Sequence, residues 1–256
     1  MRYLEAKPHA ALHDWVKCYW FLEKDYTAQS GETILPDGCI DLIFSDGQVF
    51  RPYPASFLIG PLSQAVTLPA NGQALTIGIR FYPYGIYPFL RHPLYELTNQ
   101  VIDADVLFGG EASKLAEKVI HSNPQIAFNA LDQFLQTRLQ DDQPDMGMVK
   151  ASTHLLRRPE NPIRHIAEQM MMSPRTIERK FRQITGFSPK LLASVLRFNR
   201  LKNDLILSPS QNLTGLAHRH FYFDQAHFNH DFRHFTGQTP SQFVQQVENG
   251  QIRFYR

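Results

Sequence analysis

The chain has 256 residues, 43% of them hydrophobic, which is room for two globular domains with real cores. Formal net charge is only +2, yet residues 1–144 carry a net −6 and residues 145–256 a net +8, which points to a basic domain for a polyanion joined to a domain with another task. No stretch approaches the roughly 18 apolar residues of a membrane span. Met1–Val16 lacks the apolar centre of a signal peptide. Cys18 and Cys39 fit no metal-ligand spacing, so a reducing cytoplasm with free thiols is expected.

Residues 1–100 read mostly as strands and turns. Pro36-Asp37-Gly38 is a turn signal, and Cys39–Phe44 follows it as a short apolar run. Phe57–Pro61 and Leu75–Phe81 are further runs closed by Gly or Pro. Several such strands suggest a barrel or sandwich. From Glu111 the period becomes helical: Leu115, Val119 and Ile120 share one face, and Ile126, Leu131, Phe134, Leu135 and Leu139 share another. These helices either cap the barrel or form a dimer interface. Asp141–Asp145 is polar and helix-breaking, so the domain boundary is placed at 143/144.

Beyond that boundary the chain reads as helices, at about 146–157, 163–170, 174–184, 189–207, 213–220, 224–236 and 240–248. Asn161-Pro162, Ser173-Pro174, Ser188-Pro189 and Thr239-Pro240 each set a capping oxygen before a Pro at the first helical position. The fold class is therefore α+β with two domains. Residues 1–143 form a β-barrel or sandwich-like domain ending in helices, and residues 144–256 form an all-α domain with two helix-turn-helix units.

The second domain contains a repeat. Phe181–Pro189 (FRQITGFSP) returns 51 residues later as Phe232–Pro240 (FRHFTGQTP), and upstream Ile166-Ala167 answers to Leu216-Ala217 at an offset of 50. One residue is thus inserted in a turn of the second copy. In the first copy Ile166, Ala167 and Met170 face inward, a tight turn follows, and a second helix turns Ile177, Phe181 and Ile184 inward. Helix, tight turn, helix is the geometry that places a recognition helix in the major groove of DNA. The exposed face of that helix carries Arg175, Thr176, Glu178, Arg179 and Arg182. Arg suits guanine or phosphate, and Glu accepts from cytosine. The second copy exposes Gln225, His227, Asn229, His230 and Arg233, of which Gln and Asn suit adenine.

These residues resemble the DNA-binding domain of the AraC/XylS family of bacterial transcription regulators. The segment Asp224–Pro240 carries the likeness most closely, and the likeness spans about residues 146–247. It implies two helix-turn-helix units joined by the long helix Pro189–Leu207 and reading successive major-groove segments of double-stranded DNA. It puts base-reading positions at Arg175, Glu178 and Arg179, and at Gln225, Ala226, Asn229 and His230. His230 stands where the family often has a basic residue, which makes a pH-dependent contact an expectation. The family usually has Gly in each turn, where this chain has Met171 and Phe221. A positive φ there would cost on the order of 1 kcal/mol, so the turns are either strained or differently built. The segments Ile34–Phe44, Phe57–Pro61 and Gly78–Gly85 resemble an uncharacterised β-rich domain found ahead of this DNA-binding domain, which implies a sensor or dimerisation module. RNA polymerase, a small-molecule effector and a second copy are the further partners this architecture suggests. The location it implies is a bacterial cytoplasm, at the nucleoid when DNA is bound.

Phe81, Tyr82, Tyr84, Tyr87 and Phe89 cluster beside Arg80. Either Asp41, Arg80, Tyr82 and Tyr84 line a small-molecule pocket, or the cluster is packing with Arg80 paired to Asp41. His227, His230 and His234 share a helical face without a completing acid or thiol, so no metal and no cofactor is expected. No enzyme is expected either. The rival class is a DNA-tethered enzyme, such as an alkyl-transfer repair protein using Cys18 or Cys39, which needs an activated thiolate.

Overall fold

A computed structural model describes residues 1–26, 31–90, 92–139, 146–159, 168, 170–209 and 212–249. The expected boundary at 143/144, the Asn161-Pro162 cap, and Ile166 and Ala167 lie outside the described residues.

The N-terminal half is built on an antiparallel sheet. Its strands are β1 (Arg2–Ala6), β2 (Val16–Asp25), β4 (Ile40–Ser45), β5 (Ser56–Ile59), β7 (Gln73–Phe81) and β8 (Val101–Asp103), ordered β1-β2-β7-β4-β5-β8. A separate ribbon pairs β3 (Gly31–Ile34) with β6 (Val66–Pro69). Alternation along each strand explains the layers. Ile77, Ile79 and Phe81 of β7 and Ile40, Leu42 and Phe44 of β4 face one way, toward the helices. Trp20, Leu22, Ile43, Phe57 and Ile59 face the other way, onto a second core with Leu68 of the ribbon. Gly78 lies opposite Trp20 in the β2–β7 register, and a Cβ there would sit 2.2 Å from the indole. Only glycine lets that ring cross the sheet.

Short helices α1 (Tyr87–Leu90) and α2 (Ala104–Phe108) lead to α3 (Glu111–Val119) and α4 (Pro124–Gln136). Ala112, Leu115, Ala116 and Val119 of α3 are buried in the core that the sheet shares, as are Ala127, Phe128, Leu131, Phe134 and Leu135 of α4. Of the two readings open for these helices, the capping one describes their buried faces. The strand runs expected around residues 39–44, 57–61 and 75–81 are β4, β5 and β7. The ten-residue β2 lies outside those expected runs, although Val16-Lys17-Cys18-Tyr19-Trp20-Phe21-Leu22 is almost unbroken apolar sequence.

The C-terminal half is helical: α5 (Met146–Arg157), α6 (Pro174–Thr185), α7 (Pro189–Leu207), α8 (Leu213–Arg219), α9 (Gln225–Thr236) and α10 (Pro240–Glu248). Ser173, Ser188 and Thr239 cap α6, α7 and α10 as the Ser/Thr-Pro signals require, each accepting a backbone N–H from the first turn. The long helix α7 is shared between two cores. Leu192, Ala193 and Leu196 join the core that also holds the sheet and α3–α6, whereas Val195, Phe198, Leu201 and Leu205 join a separate core with α8–α10.

Candidate nucleic-acid interface

The recognition helices α6 and α9 are framed alike. Each begins on a capping side chain: Ser173 Oγ accepts the Thr176 N–H at 3.2 Å, and an Asp224 oxygen accepts the His227 N–H at 2.7 Å. Each ends on a left-handed glycine, Gly186 at φ +78° and Gly237 at φ +76°, whose N–H closes the last turn. The repeated threonine does the same work in both copies. Thr185 Oγ1 donates to Phe181 O and accepts the Phe187 N–H, and Thr236 Oγ1 donates to Phe232 O and accepts the Gln238 N–H. The hydroxyl thus stitches the end of the recognition helix to the following turn.

On α6, Arg175, Glu178, Arg179 and Arg182 are exposed. Thr176 is half-buried, with its hydroxyl 2.9 Å from Ser173 Oγ. Glu178 and Arg182 pair with each other at 3.1 Å, so a base contact by either must compete with that pair. On α9, Gln225, Ala226, Asn229, His230 and Arg233 are exposed. His227 departs from the expected open face. It is half-buried, its ring 5.2 Å from that of Tyr222 and its Nε2 3.6 Å from Asp231 Oδ2. Periodicity alone put it outside because it cannot see Tyr222 folding back over the first turn.

The turn residues resolve the missing-glycine question. Met171 (φ +49°) and Phe221 (φ +60°) both keep the left-handed backbone, with side chains 97% and 60% exposed. The turns are strained rather than rebuilt.

The four candidate ligand residues are engaged inside the protein. Arg80 Nε donates to Asp41 Oδ1 at 3.1 Å and Arg80 Nη2 to Asp41 Oδ2 at 3.2 Å, while Trp20 Nε1 donates to the same Oδ1 at 3.0 Å. Tyr84 is buried, with its hydroxyl 3.0 Å from Thr153 Oγ1 of α5, and Tyr82 stacks on it at 6.1 Å. The aromatic cluster therefore buttresses the helical half. Gln183 of α6 donates to the Tyr87 hydroxyl at 2.8 Å, and Thr98 Oγ1 donates to Gly186 O at 3.2 Å.

Beside Arg80 lies a group that sequence reasoning missed. Lys202 of α7 is only 5% exposed. Burial is the main cause that lowers its pKa, to about 8, against the pull of Asp37. Asp37 is itself raised by burial but brought net below the carboxylate range by Arg80, Lys202 and Lys17. Arg80 loses charge stability to burial but regains more from Asp41 and Asp37, so it stays firmly protonated. Asn199 of α7 donates to Asp37 O at 3.4 Å. The Pro-Asp-Gly turn is thus where the linker helix meets the sheet. The available signal was position: Lys202 follows Phe198 by four residues, on the buried stripe of α7.

Cys18 and Cys39 are free. Burial pushes their thiols up, to about 11 and about 12. Among the described residues no group of three or more His, Cys, Asp or Glu is placed to hold a metal ion, and no helix is long and apolar enough to cross a membrane.

Residues 4–103 match the family model described as a domain of unknown function (DUF6597), and residues 166–246 match one described as a helix-turn-helix domain. The search of curated proteins found no match to the chain. Among solved structures the chain is similar to the C-terminal domain of AraT, a response regulator from Geobacillus stearothermophilus, with 22% identity and a TM-score of 0.37 over 42% of this chain and 88% of that one. It is similar to ToxT from Vibrio cholerae O395, with 11% identity and a TM-score of 0.47 over 89% of this chain and 96% of that one. It is also similar to ToxT of Vibrio cholerae strain SCE256 with an unsaturated fatty acid bound, at 11% identity and a TM-score of 0.42 over 88% and 94% of the two chains. The chain thus carries a DUF6597 domain over residues 4–103 followed by a helix-turn-helix domain over residues 166–246.

Proposed function

We propose that the protein regulates transcription by docking α6 and α9 in successive major-groove segments of one duplex, with the N-terminal domain setting the posture of the first unit. The observation that carries this reading is the repeat itself: two capped helices whose buried frames coincide and whose exposed faces differ. Arg175 and Arg179 on α6 and Gln225, Asn229 and His230 on α9 are the base-reading candidates. Arg182 and Arg233 are suited to phosphates, which receive half or more of such contacts. Two different faces in one chain read an asymmetric site without requiring a dimer.

Regulation through the N-terminal domain is supported by its shared core with α6 and by the hydrogen bond from Asn199 of α7 to Asp37 O. An effector binding at Asp41, Arg80 and Tyr84 would displace internal pairs, and so would act on the same interdomain joint. The alkyl-transfer alternative is poorly served by this structure. Lys17 Nζ lies 3.8 Å from Cys39 Sγ, but burial and Asp37 outweigh it and keep the thiol protonated.

Selection of bound duplexes from a random pool at defined salt tests the reading. One enriched motif with two half-elements about 10 bp apart is expected. No enrichment would overturn it. Within the enriched motif, Arg179→Ala is expected to cost about 1–3 kcal/mol at one base position, whereas a uniform loss would reassign Arg179 to a phosphate.

A further inference from the structure

The residue inserted in the second unit can be located. The left-handed turn residues Met171 and Phe221 are 50 apart, but the caps Ser173 and Asp224 are 51 apart. One residue, Met172, separates turn from cap in the first unit. Two, Tyr222 and Phe223, do so in the second.

The position just before a helix cap ordinarily holds an apolar residue that packs on the fourth residue of the helix and fixes the entry of the chain. Met172 stands there in the first unit, partly buried against the core that contains Ile177. In the second unit the fourth residue is Phe228, and the ring that packs on it is Tyr222, 3% exposed and 5.6 Å away edge-on. Tyr222 has taken the packing role from one position further back. Phe223, which occupies the position itself, is left 87% exposed. The fold has no use for its ring.

Resting on the DNA-binding reading, we propose that Phe223 is a specificity residue of the second unit that lays its ring against a thymine methyl group. It immediately precedes the N-terminus of α9, and so continues the surface of Gln225, Ala226 and Asn229. His218 and Arg219 at the end of α8 and Arg233 on α9 are exposed and give the second unit cations that suit a polyanion. The Asp224 carboxylate between Phe223 and α9 is held as the helix cap by the His227 N–H. On the major-groove edges the apolar group is the thymine C5-methyl, which accepts contact from Ala, the Thr methyl or Phe. A ring makes no ion pair with phosphate, so its contribution is sequence-dependent.

The test uses the full chain and the duplex it selects, with each thymine in the second half-element replaced in turn by deoxyuridine, which removes the methyl and leaves the pairing intact. At one position the wild type is expected to lose about fourfold in affinity, the worth of one buried methyl. Phe223→Ala should lose at least that much on the thymine duplex and show no thymine preference at that position, and Phe223→Leu should keep part of the preference. Unchanged binding by Phe223→Ala would overturn the inference alone and would fit a protein-facing role for the ring. Equal losses on thymine and deoxyuridine duplexes would overturn it in favour of a sugar contact. A wild-type chain that enriches no duplex would overturn the DNA-binding reading, and the inference with it.

Discussion

The two helix-turn-helix units share a frame but not an attachment. The first buries Ile177, Phe181 and Ile184 in a core it shares with β4, β7, α3 and α4, so it is mechanically part of the N-terminal domain. The second builds its own core from Phe198, Tyr222, Phe228, Phe232, Phe235 and Phe243, with Leu35 its one partly buried contributor from the first half among the described residues. The terminating glycines show the same contrast. A Cβ on Gly186 would lie 2.6 Å from Pro61 Cγ and 3.0 Å from Leu94 O, whereas a Cβ on Gly237 would meet nothing within 4 Å. The frame is repeated, but only the first copy is packed into the core of the N-terminal domain. A change in the N-terminal domain would therefore reach the first unit by direct packing, and the second through α7 and Leu35.

The largest expected effects probe the split core of α7. Phe198 is fully buried with Phe235 at 4.8 Å and Phe232 at 5.5 Å, so Phe198→Ala should cost about 4 kcal/mol and lose hydrogen-exchange protection first in α8–α10. Leu192→Ala, six residues earlier on the same helix, should cost about 3 kcal/mol and loosen α6 together with the sheet. Protection lost equally everywhere by both variants would break the comparison. Next come the glycines. Gly237→Ala carries only the left-handed strain, about 1 kcal/mol. Gly186→Ala adds overpacking against Pro61, for about 3 kcal/mol in total by urea unfolding. Equal costs would mean that the first unit is not moored as described.

What the sequence made legible was local. Ser-Pro and Thr-Pro caps and the 3.6-residue period put every described helix of the second half within a few residues of its place, and the recurring Thr-Gly marked both C-termini. What it hid was non-local. Arg80 with Asp41 was one of two open readings because a strand residue does not reveal its cross-strand partner. Lys202 reads as surface on composition although its spacing from Phe198 sets it on the buried stripe of α7, and the charges of Asp37 and Arg80 that act on it come from the other half of the chain. That joint gives a third, smaller prediction. Lys202 has a folded pKa of about 8 against an unfolded value near 10.4. The unfolded chain thus binds more protons between those values, and this group adds stability as pH rises through the window. The difference in unfolding free energy, wild type minus Lys202→Met, should therefore grow by about 1 kcal/mol from pH 8 to pH 9. The raised thiols of Cys18 and Cys39 pull the other way in both proteins and cancel in the difference. A difference that stays flat would show that Lys202 is not held where burial depresses it.

The smallest expected effects concern the turns, the one place where the two units are strained alike. Glycine at Met171 removes a left-handed penalty of about 1–2 kcal/mol but restores backbone freedom to the unfolded chain worth about 0.5–1 kcal/mol. Met171 is 97% exposed, so nothing else is lost, and Met171→Gly should stabilise by about 0.5–1 kcal/mol. Phe221 is 60% exposed and its ring is partly covered, so Phe221→Gly gives up some apolar burial and should gain less. Denaturation of the two variants side by side measures both. A loss at Met171 would mean that the turn leaves the left-handed region in solution. A gain at both positions with weaker duplex binding at Phe221 alone would instead extend the contact surface of the second unit back from Phe223, and would explain why a bulky ring is kept on a backbone that favours glycine.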